Sequence, residues 1–282
     1  MSRLKLMLIT NDVEIATHAV DCGVDRLFVD METRGKEERQ GHLDTHRAEH
    51  TPDDVRRLRA ALPGAEILTR VNPLYHGSGD EVDALVAAGA DYLMLPMFRT
   101  AEEVSEFLDL VAGRAGVTLL LETPQALVRI DEILEHRARI DEIHVGLNDL
   151  HLGMGLDFMF ELLAGGLIDY LAHKIRAAGV RFGFGGIARI GEGMVPAELV
   201  LGEHVRLGSE LVILSRAFHN QARSLAELRV SIDLAEEIRK LRAREAEFRA
   251  AGPELLEENR ARLRESVRAF ARQRRARVAA GG

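Results

Sequence analysis

Residues 117–127 read VTLLLETPQAL: five residues suited to a sheet buried on both faces run into a bare carboxylate, Glu122, and then a proline. The same pattern returns in residues 143–155, IHVGLNDLHLGMG, where an apolar strand ends just before Asn148 and Asp149. One acid at a strand tip is an accident of loops, whereas two from neighbouring strands can form a metal site. Working outward, apolar runs fall at Leu4–Thr10, Arg26–Asp30, Glu66–Arg70, Tyr92–Pro96, Thr118–Glu122, Glu142–Gly146, Phe182–Gly185 and Glu210–Leu214. Helical patterns lie between them at Val13–Asp21, Asp53–Ala61, Glu81–Ala88, Ala101–Val111, Gln125–Glu135, Phe158–Ala178 and Pro196–Glu203. Near-continuous apolar strands separated by helices indicate parallel strands covered on both faces. Eight such units predict an α/β chain folded as a (β/α)8 TIM barrel, whose typical length is about 250 residues. A doubly wound open sheet is the competing arrangement, but neither GxGxxG nor GxxxxGK[ST] follows the first strand.

Helix punctuation agrees. Thr51-Pro52-Asp53-Asp54 reads as an N-cap with proline in the first turn, and Gly89 and Gly179 stand where helices should stop. A charged helix over Leu225–Phe248 is broken at Gly252-Pro253, and an Arg-rich helix then continues to about Arg277. The chain therefore divides into a barrel, residues 1–222, and a helical extension, residues 223–282. That extension reads either as a solvated face, its arginines interleaved with Glu254, Glu257, Glu258 and Glu265, or as an arm that docks on or is exchanged with another subunit.

Composition removes several function classes. The 282 residues are 46% hydrophobic, enough for a full core, and a formal net charge of -8 argues against nucleic-acid binding. The single cysteine, Cys22, excludes an internal disulfide framework and suits a reducing cytoplasm. No apolar run approaches the ~18 residues of a membrane span. The opening LKLMLIT is too short for a signal peptide core and lacks a cleavage site, so it reads as the first strand.

In a barrel of this kind the chemistry sits at the C-terminal ends of the strands. Those ends offer Asp30 and Glu32 after the second strand, Arg70 and Asn72 after the third, Glu122 after the fifth, and Asn148 and Asp149 after the sixth. The seventh runs into Gly185-Gly186, the eighth into Ser215-Arg216, and the fourth ends at Pro96, a stop. The N-terminal ends show no comparable cluster of carboxylates, which places the charges on one rim. Glu122 and Asp149 suit a hard divalent cation, Mg²⁺ or Mn²⁺, which takes oxygen ligands and keeps open positions. Such an ion binds a 2-oxo acid through its carboxylate and keto oxygens and stabilises the enolate formed on carbon–carbon cleavage or condensation. Arg70 presents a planar fork of donors to an anionic oxygen. For either acid alone, helix capping is the alternative role. Imine chemistry is disfavoured: of the four lysines, Lys5 lies at the opposite rim, Lys174 and Lys240 in helices, and Lys36 in a loop where it is poorly desolvated.

VDMET (29–33), TRVNP (69–73), GADYLMLPMFRTAEEV (89–104), LLLET (119–123) and VGLNDLHLGMG (145–155), in this order, resemble the HpcH/HpaI type of 2-oxo-acid aldolase and citrate lyase, within the phosphoenolpyruvate/pyruvate-binding barrels. The likeness spans about residues 4–220. It implies a divalent metal on Glu122 and Asp149, Arg70 on the pyruvate moiety, and aldol or Claisen-like cleavage to pyruvate, oxaloacetate or acetyl-type fragments. It also implies dimer-based homo-oligomers, up to hexamers, with an exchanged C-terminal helix.

Two positions depart from that pattern. Aldolases of the family carry Asp-x-Glu-His after the second strand, the histidine assisting proton transfer, and here Thr33 follows Asp30-Met31-Glu32. A glutamine two residues before the metal glutamate is replaced by Leu120. The stretch that follows, TRGKEERQGHLDTHRAEH (33–50), holds candidates to fill the gap. Arg34, Lys36 and Arg39 can clamp a second carboxylate or a phosphate, or form a solvated loop. Gln40, His42, His46 and His50 add further polar groups, and a histidine among them can replace the missing base, as can Glu32 or a metal-bound hydroxide. Gly183-Phe184-Gly185-Gly186 either cradles a phosphate or satisfies a crowded strand end. His144 and His204 read as structural, and Met94, Met97, Met154 and Met159 as core or pocket lining.

The expected activity is divalent-metal-dependent carbon–carbon cleavage, or the reverse condensation, on a small 2-oxo acid or polycarboxylate. A phosphoenolpyruvate-utilising enzyme and a non-catalytic carboxylate-binding or scaffold barrel are the alternatives, the last motivated by Thr33.

Overall fold

The apolar runs form eight parallel strands: β1 (Lys5–Ile9), β2 (Arg26–Asp30), β3 (Glu66–Arg70), β4 (Tyr92–Leu95), β5 (Gly116–Leu121), β6 (Glu142–Val145), β7 (Arg181–Ile187) and β8 (Leu211–Leu214). They pair in chain order and β8 returns to β1, closing a barrel. This computed structural model describes residues 3–34, 50–218, 222 and 224–281, with backbone alone for 277–281. The surrounding helices are α1 (Val13–Asp21), α2 (Pro52–Ala61), α3 (Ser78–Ala88), α4 (Ala101–Val111), α5 (Pro124–Val128), α6 (Ile130–Leu134), α7 (Leu147–Gly153), α8 (Glu161–Ala164), α9 (Leu167–Ala177) and α10 (Ala197–Leu207). Beyond the barrel lie α11 (Leu225–Ser231), α12 (Leu234–Ala250) and α13 (Pro253–Gly281). Among the described residues, no helix is long and apolar enough to cross a membrane.

Side-chain alternation sorts the barrel into layers. Met7, Phe28, Leu68, Met94, Leu120 and Leu211 fill its interior. The other strand face packs against the helices through a separate, larger set that includes Leu27, Val29, Ile67, Leu93, Leu119 and Ile143. Two residues beyond each interior position, the period of two carries Asp30, Arg70 and Glu122 to the C-terminal mouth on the inward face. The layer below them holds Leu120.

Two residues before the interior positions, the same periodicity builds a second charged layer. Arg26 and Glu142, both with fully buried side chains, pair through Nη1–Oε2 at 2.6 Å and Nη2–Oε1 at 2.8 Å. Arg26 also pairs with Glu66, which takes Lys5 Nζ at 2.7 Å. Arg181 reaches Glu142 at 3.2 Å, Thr118 Oγ1 donates to it at 3.0 Å, and the Arg26 guanidinium lies 4.2 Å from the Tyr92 ring centre. This corrects the expectation that charges occupy one rim only. Glu66 and Glu142 stand first in their strands, and closure of the barrel brings both onto Arg26.

Helix boundaries differ from the sequence reading where local breaks intervene. The expected helix over Gln125–Glu135 divides at Arg129, and that over Phe158–Ala178 divides at Gly165-Gly166, where Gly166 takes φ 85°. Leu225–Phe248 divides at Ile232-Asp233, with Asp233 capping α12 by accepting from Glu236 N at 3.0 Å. A short helix, α7, follows β6 where only a strand tip was expected. The extension packs on its own barrel. Leu263, Val267 and Ala271 form a buried i, i+4, i+8 stripe, Phe270 packs on Phe158 at 4.2 Å between ring centres, and Asn259 Nδ2 donates to Leu199 O at 2.9 Å. At the other end, Glu245 accepts from Leu4 N at 2.7 Å and Arg242 donates to Leu4 O at 2.6 Å, so α12 ties down the residue that leads into β1.

Two buried histidines set an acid limit on stability. His144 lies inside the barrel and donates from Nε2 to Gly185 O at 2.9 Å, while His204 stacks on Phe184 with ring centres 3.9 Å apart. Burial pushes them down to about 4 and about 3, respectively. Both are neutral in the fold, whereas the unfolded chain protonates them near the ordinary value of about 6.5. Stability from the neutral rings is therefore full above that pH and lost as pH falls toward the folded values, by about 2 kcal/mol per ring at pH 5. Urea midpoints measured at pH 7 and pH 5 should show this loss, and His144→Gln should flatten it. Equal slopes for variant and wild type would mean that the ring titrates as in the unfolded chain.

Candidate active site

Glu122 follows β5 directly, and its neighbour takes the helix-capping role that was the alternative for this acid. Thr123 caps α5, accepting from Ala126 N at 3.1 Å and donating to Phe98 O at 2.7 Å. Glu122 is left only 3% exposed and turned into the mouth. Its Oε1 accepts from Met97 N at 3.2 Å. Met97 has φ 56°, a left-handed backbone rare for a side chain of this size, in the loop after β4. The reading of Pro96 as a mere stop misses this donor, since a backbone N–H leaves no mark on residue type. On the other side, a Cβ placed on Gly146 would come within 2.8 Å of Glu122 Oε2, so glycine there makes room for the carboxylate.

Arg70 stands across the mouth. Its Nε donates to Asp30 Oδ1 at 2.8 Å and its Nη2 to Asp30 Oδ2 at 2.6 Å, and Nη1 lies 3.1 Å from Glu32 Oε2. Burial works against its charge, but Asp30, Glu32 and Glu122 outweigh that and raise its pKa, so it is a permanent cation. Nε and Nη2 hold Asp30 and Nη1 pairs with Glu32, which together fix the plane of the guanidinium.

Glu122 shows the opposite balance. Burial and the like charges of Asp149 and Glu32 outweigh Arg70 and push its carboxyl up to about 8. Asp149 lies in the first turn of α7, half-buried, and because α7 follows the C-terminal end of β6 it stands at the same mouth of the barrel as Glu122. Among the described residues, no group of three or more His, Cys, Asp or Glu side chains converges with ligand spacing. The residues that could hold a cation here are Glu122 and Asp149, two carboxylates whose like charges oppose each other. That set fits a hard cation whose remaining positions go to water or ligand oxygens.

The other sequence candidates divide. Asp30 and Glu32 join Arg70, as described. Asn148 is exposed on α7, and no described contact ties its amide to the cluster. Arg34 is exposed, its guanidinium 3.9 Å from the Tyr75 ring centre. Lys36, Arg39, Gln40, His42 and His46 lie outside the described residues. Thr33, where the family pattern has histidine, donates from N and Oγ1 to Asn72 Oδ1 at 3.0 and 3.3 Å. Asn72 also takes Arg34 N at 3.1 Å and donates to Glu81 Oε1 at 2.9 Å, tying the residues that follow β2 to the end of β3. Where the described chain resumes, His50 accepts at Nδ1 from Asp30 N at 2.9 Å. The glycines of β7 have packing reasons: a Cβ on Gly183 would come within 2.6 Å of Leu211 Cβ and 2.9 Å of His144 Nδ1. A shallow cavity of about 500 Å³ beside Gly116, Arg139 and Asp141 opens at the N-terminal face, away from this cluster.

Comparison with known proteins follows the same lines. The family model described as HpcH/HpaI aldolase/citrate lyase matches residues 3–161. A pyruvate kinase of Methylorubrum extorquens is 40% identical over 77 residues, covering 27% of this chain and 16% of that protein. The crystal structure of an HpcH/HpaI aldolase from Desulfitobacterium hafniense DCB-2 aligns with a TM-score of 0.59 at 17% identity, over 76% of this chain and 86% of that one. An HpcH/HpaI aldolase/citrate lyase family protein from Burkholderia cenocepacia J2315 gives 0.60 at 16%, over 84% and 95%. At such identities the two structures speak for the fold alone. The family model covers more than half of the sequence, including both strand-tip acids and Arg70, and the chain belongs to the HpcH/HpaI aldolase/citrate lyase family.

Proposed function

We propose that this member of the lyase/aldolase family cleaves or forms a carbon–carbon bond in a small 2-oxo acid, with Mg²⁺ or Mn²⁺ held by Glu122 and Asp149. The observation that supports the reading is the Glu122 carboxylate, buried at the C-terminal mouth and held by Met97 N at 3.2 Å, on the same rim where Asp30 fixes the Arg70 guanidinium. Such a site favours a bound cation and an anionic ligand together. When bound, the cation supplies positive charge to the oxygen on which charge develops as the bond breaks.

The chain's own residues supply the rest. Arg70 directs its guanidinium to the ligand's carboxylate or keto oxygen, and Asp30 and Glu32 prevent it from swinging away. The wall beneath is apolar, built from Leu120, Phe28 and Leu68, which keeps water from the inner side of the pocket. Pyruvate or oxaloacetate is the proposed fragment, and the name of the pyruvate kinase relative carries the same three-carbon acid. That likeness also favours one second reading, phosphoenolpyruvate as substrate. We further propose a cytoplasmic enzyme that works as a dimer-based homo-oligomer.

The test is a panel of 4-hydroxy-2-oxo acids, oxaloacetate and citrate-like compounds with Mg²⁺ or Mn²⁺, following release of pyruvate, oxaloacetate or acetyl-type products. Metal-dependent release supports the proposal. Phosphate release from phosphoenolpyruvate would replace it with the second reading, and binding without any turnover would turn the site into a carboxylate receptor.

A further inference from the structure

We propose that His50 is a positioning residue of this site: its imidazole holds the backbone of Asp30, and through Asp30 it keeps Arg70 aimed at the mouth. The relevance of Arg70 to ligand rests on the function proposed above, whereas the hydrogen-bond chain itself does not.

The ladder of β2 explains why a side chain is needed there. Backbone groups along a strand point alternately to its two neighbours. Phe28 faces β1, its carbonyl accepting from Thr10 N at 3.1 Å, and Met31 faces β3, donating to Arg70 O at 3.0 Å. Asp30 stands in the Phe28 phase and faces β1, but the β1–β2 register ends at Ile9 and Phe28. On the β3 side the register continues to the Asp30–Arg70 pair. His50 Nδ1 takes the place of the missing β1 carbonyl at 2.9 Å. An acceptor at Nδ1 means that the ring carries its proton on Nε2.

His50 is itself fixed. It immediately precedes Thr51, whose N–H donates to Asp54 Oδ2 at 2.7 Å at the start of α2, with Pro52 in the first turn. The capped helix therefore delivers the imidazole to the end of β2. From there the chain of contacts runs Asp30 carboxylate to Arg70 Nε and Nη2, at 2.8 and 2.6 Å. Asp30 is thus held by its backbone on one side and grips the guanidinium on the other.

The variants His50→Ala and His50→Asn separate this role from general stability, because the Asn amide oxygen can occupy the place of Nδ1. Amide exchange at Asp30 and Nε–H exchange at Arg70, both read by NMR on the ligand-free protein, should accelerate about tenfold in His50→Ala, the loss of one hydrogen bond. His50→Asn should return both toward wild type. With Mg²⁺ and oxalate as probe, the apparent Kd should rise about tenfold in His50→Ala and recover in His50→Asn. Unchanged exchange in His50→Ala, or His50→Asn behaving like His50→Ala, would overturn the proposal. Faster exchange at Asp30 with Arg70 unmoved would do the same. A wild-type protein that binds no Mg²⁺-oxalate would count against the proposed function, while the two exchange readouts still decide the role of His50.

Discussion

Glu122→Gln is expected to lower metal-dependent turnover of a 2-oxo acid by about a hundredfold to a thousandfold, since charge stabilisation by a bound cation is worth several kcal/mol. The substitution keeps the shape and the acceptor that Met97 N meets, so the fold should melt no lower than wild type. It should melt slightly higher, because a carboxyl whose ionisation burial opposes has been removed. Asp149→Asn should lose activity as well, and should bring the Glu122 carboxyl back toward its ordinary range by removing one like charge. Calorimetry with Mn²⁺ should show binding in wild type and none in Glu122→Gln. The pH dependence follows from the direction of the shift. With its carboxyl at about 8, Glu122 is mostly protonated at pH 7, so the cation must displace a proton and affinity rises as pH is taken from 6 to 8. Titrations in buffers of different ionisation enthalpy should report about one proton released per ion at pH 7. Full turnover in both single variants would remove the metal site from the proposal.

Glu142→Ala is expected to produce the largest loss of stability, about 3–5 kcal/mol, because it leaves the Arg26 guanidinium buried without its bidentate partner. For a chain of this size each kcal/mol moves the midpoint by about 2–4 °C, so the effect is large in a thermal scan. Glu66, the remaining acid, is already shared with Lys5, and Arg181 would add a second cation nearby. Replacing both members of the pair, Arg26→Met with Glu142→Leu, should recover much of the loss, since neither charge is then buried alone. Equal melting of Glu142→Ala and wild type would show that the layer is hydrated and that the pair contributes little. The double variant also tests separation of the two ends of the barrel, because the C-terminal cluster should retain its ligand binding.

The fold was legible because its signals are local. Apolar runs of four to seven residues, separated by amphipathic helices and by punctuation such as Thr51-Pro52 and Gly89, give strand order directly, and eight parallel strands in sequence close most simply on themselves. Asp30, Arg70 and Glu122 were legible as polar residues at the C-terminal ends of those strands, where a barrel carries its functional groups. Asp149 stood out as an acid just beyond a strand, although the helix that carries it did not.

What the sequence alone determined is thus the barrel, its C-terminal rim and the acids and guanidinium on it, all consequences of residue type and position at the ends of apolar runs. Tertiary structure decided which groups close on them. Met97 acts through a backbone N–H, which any residue possesses. Glu142 finds Arg26 across 116 positions of sequence only when the barrel closes. Thr33 turns away to Asn72, and His50 reaches Asp30 because a capped helix begins beside it. Such contacts depend on distances between strands and helices that are far apart in the chain, and no spacing along the chain encodes those distances.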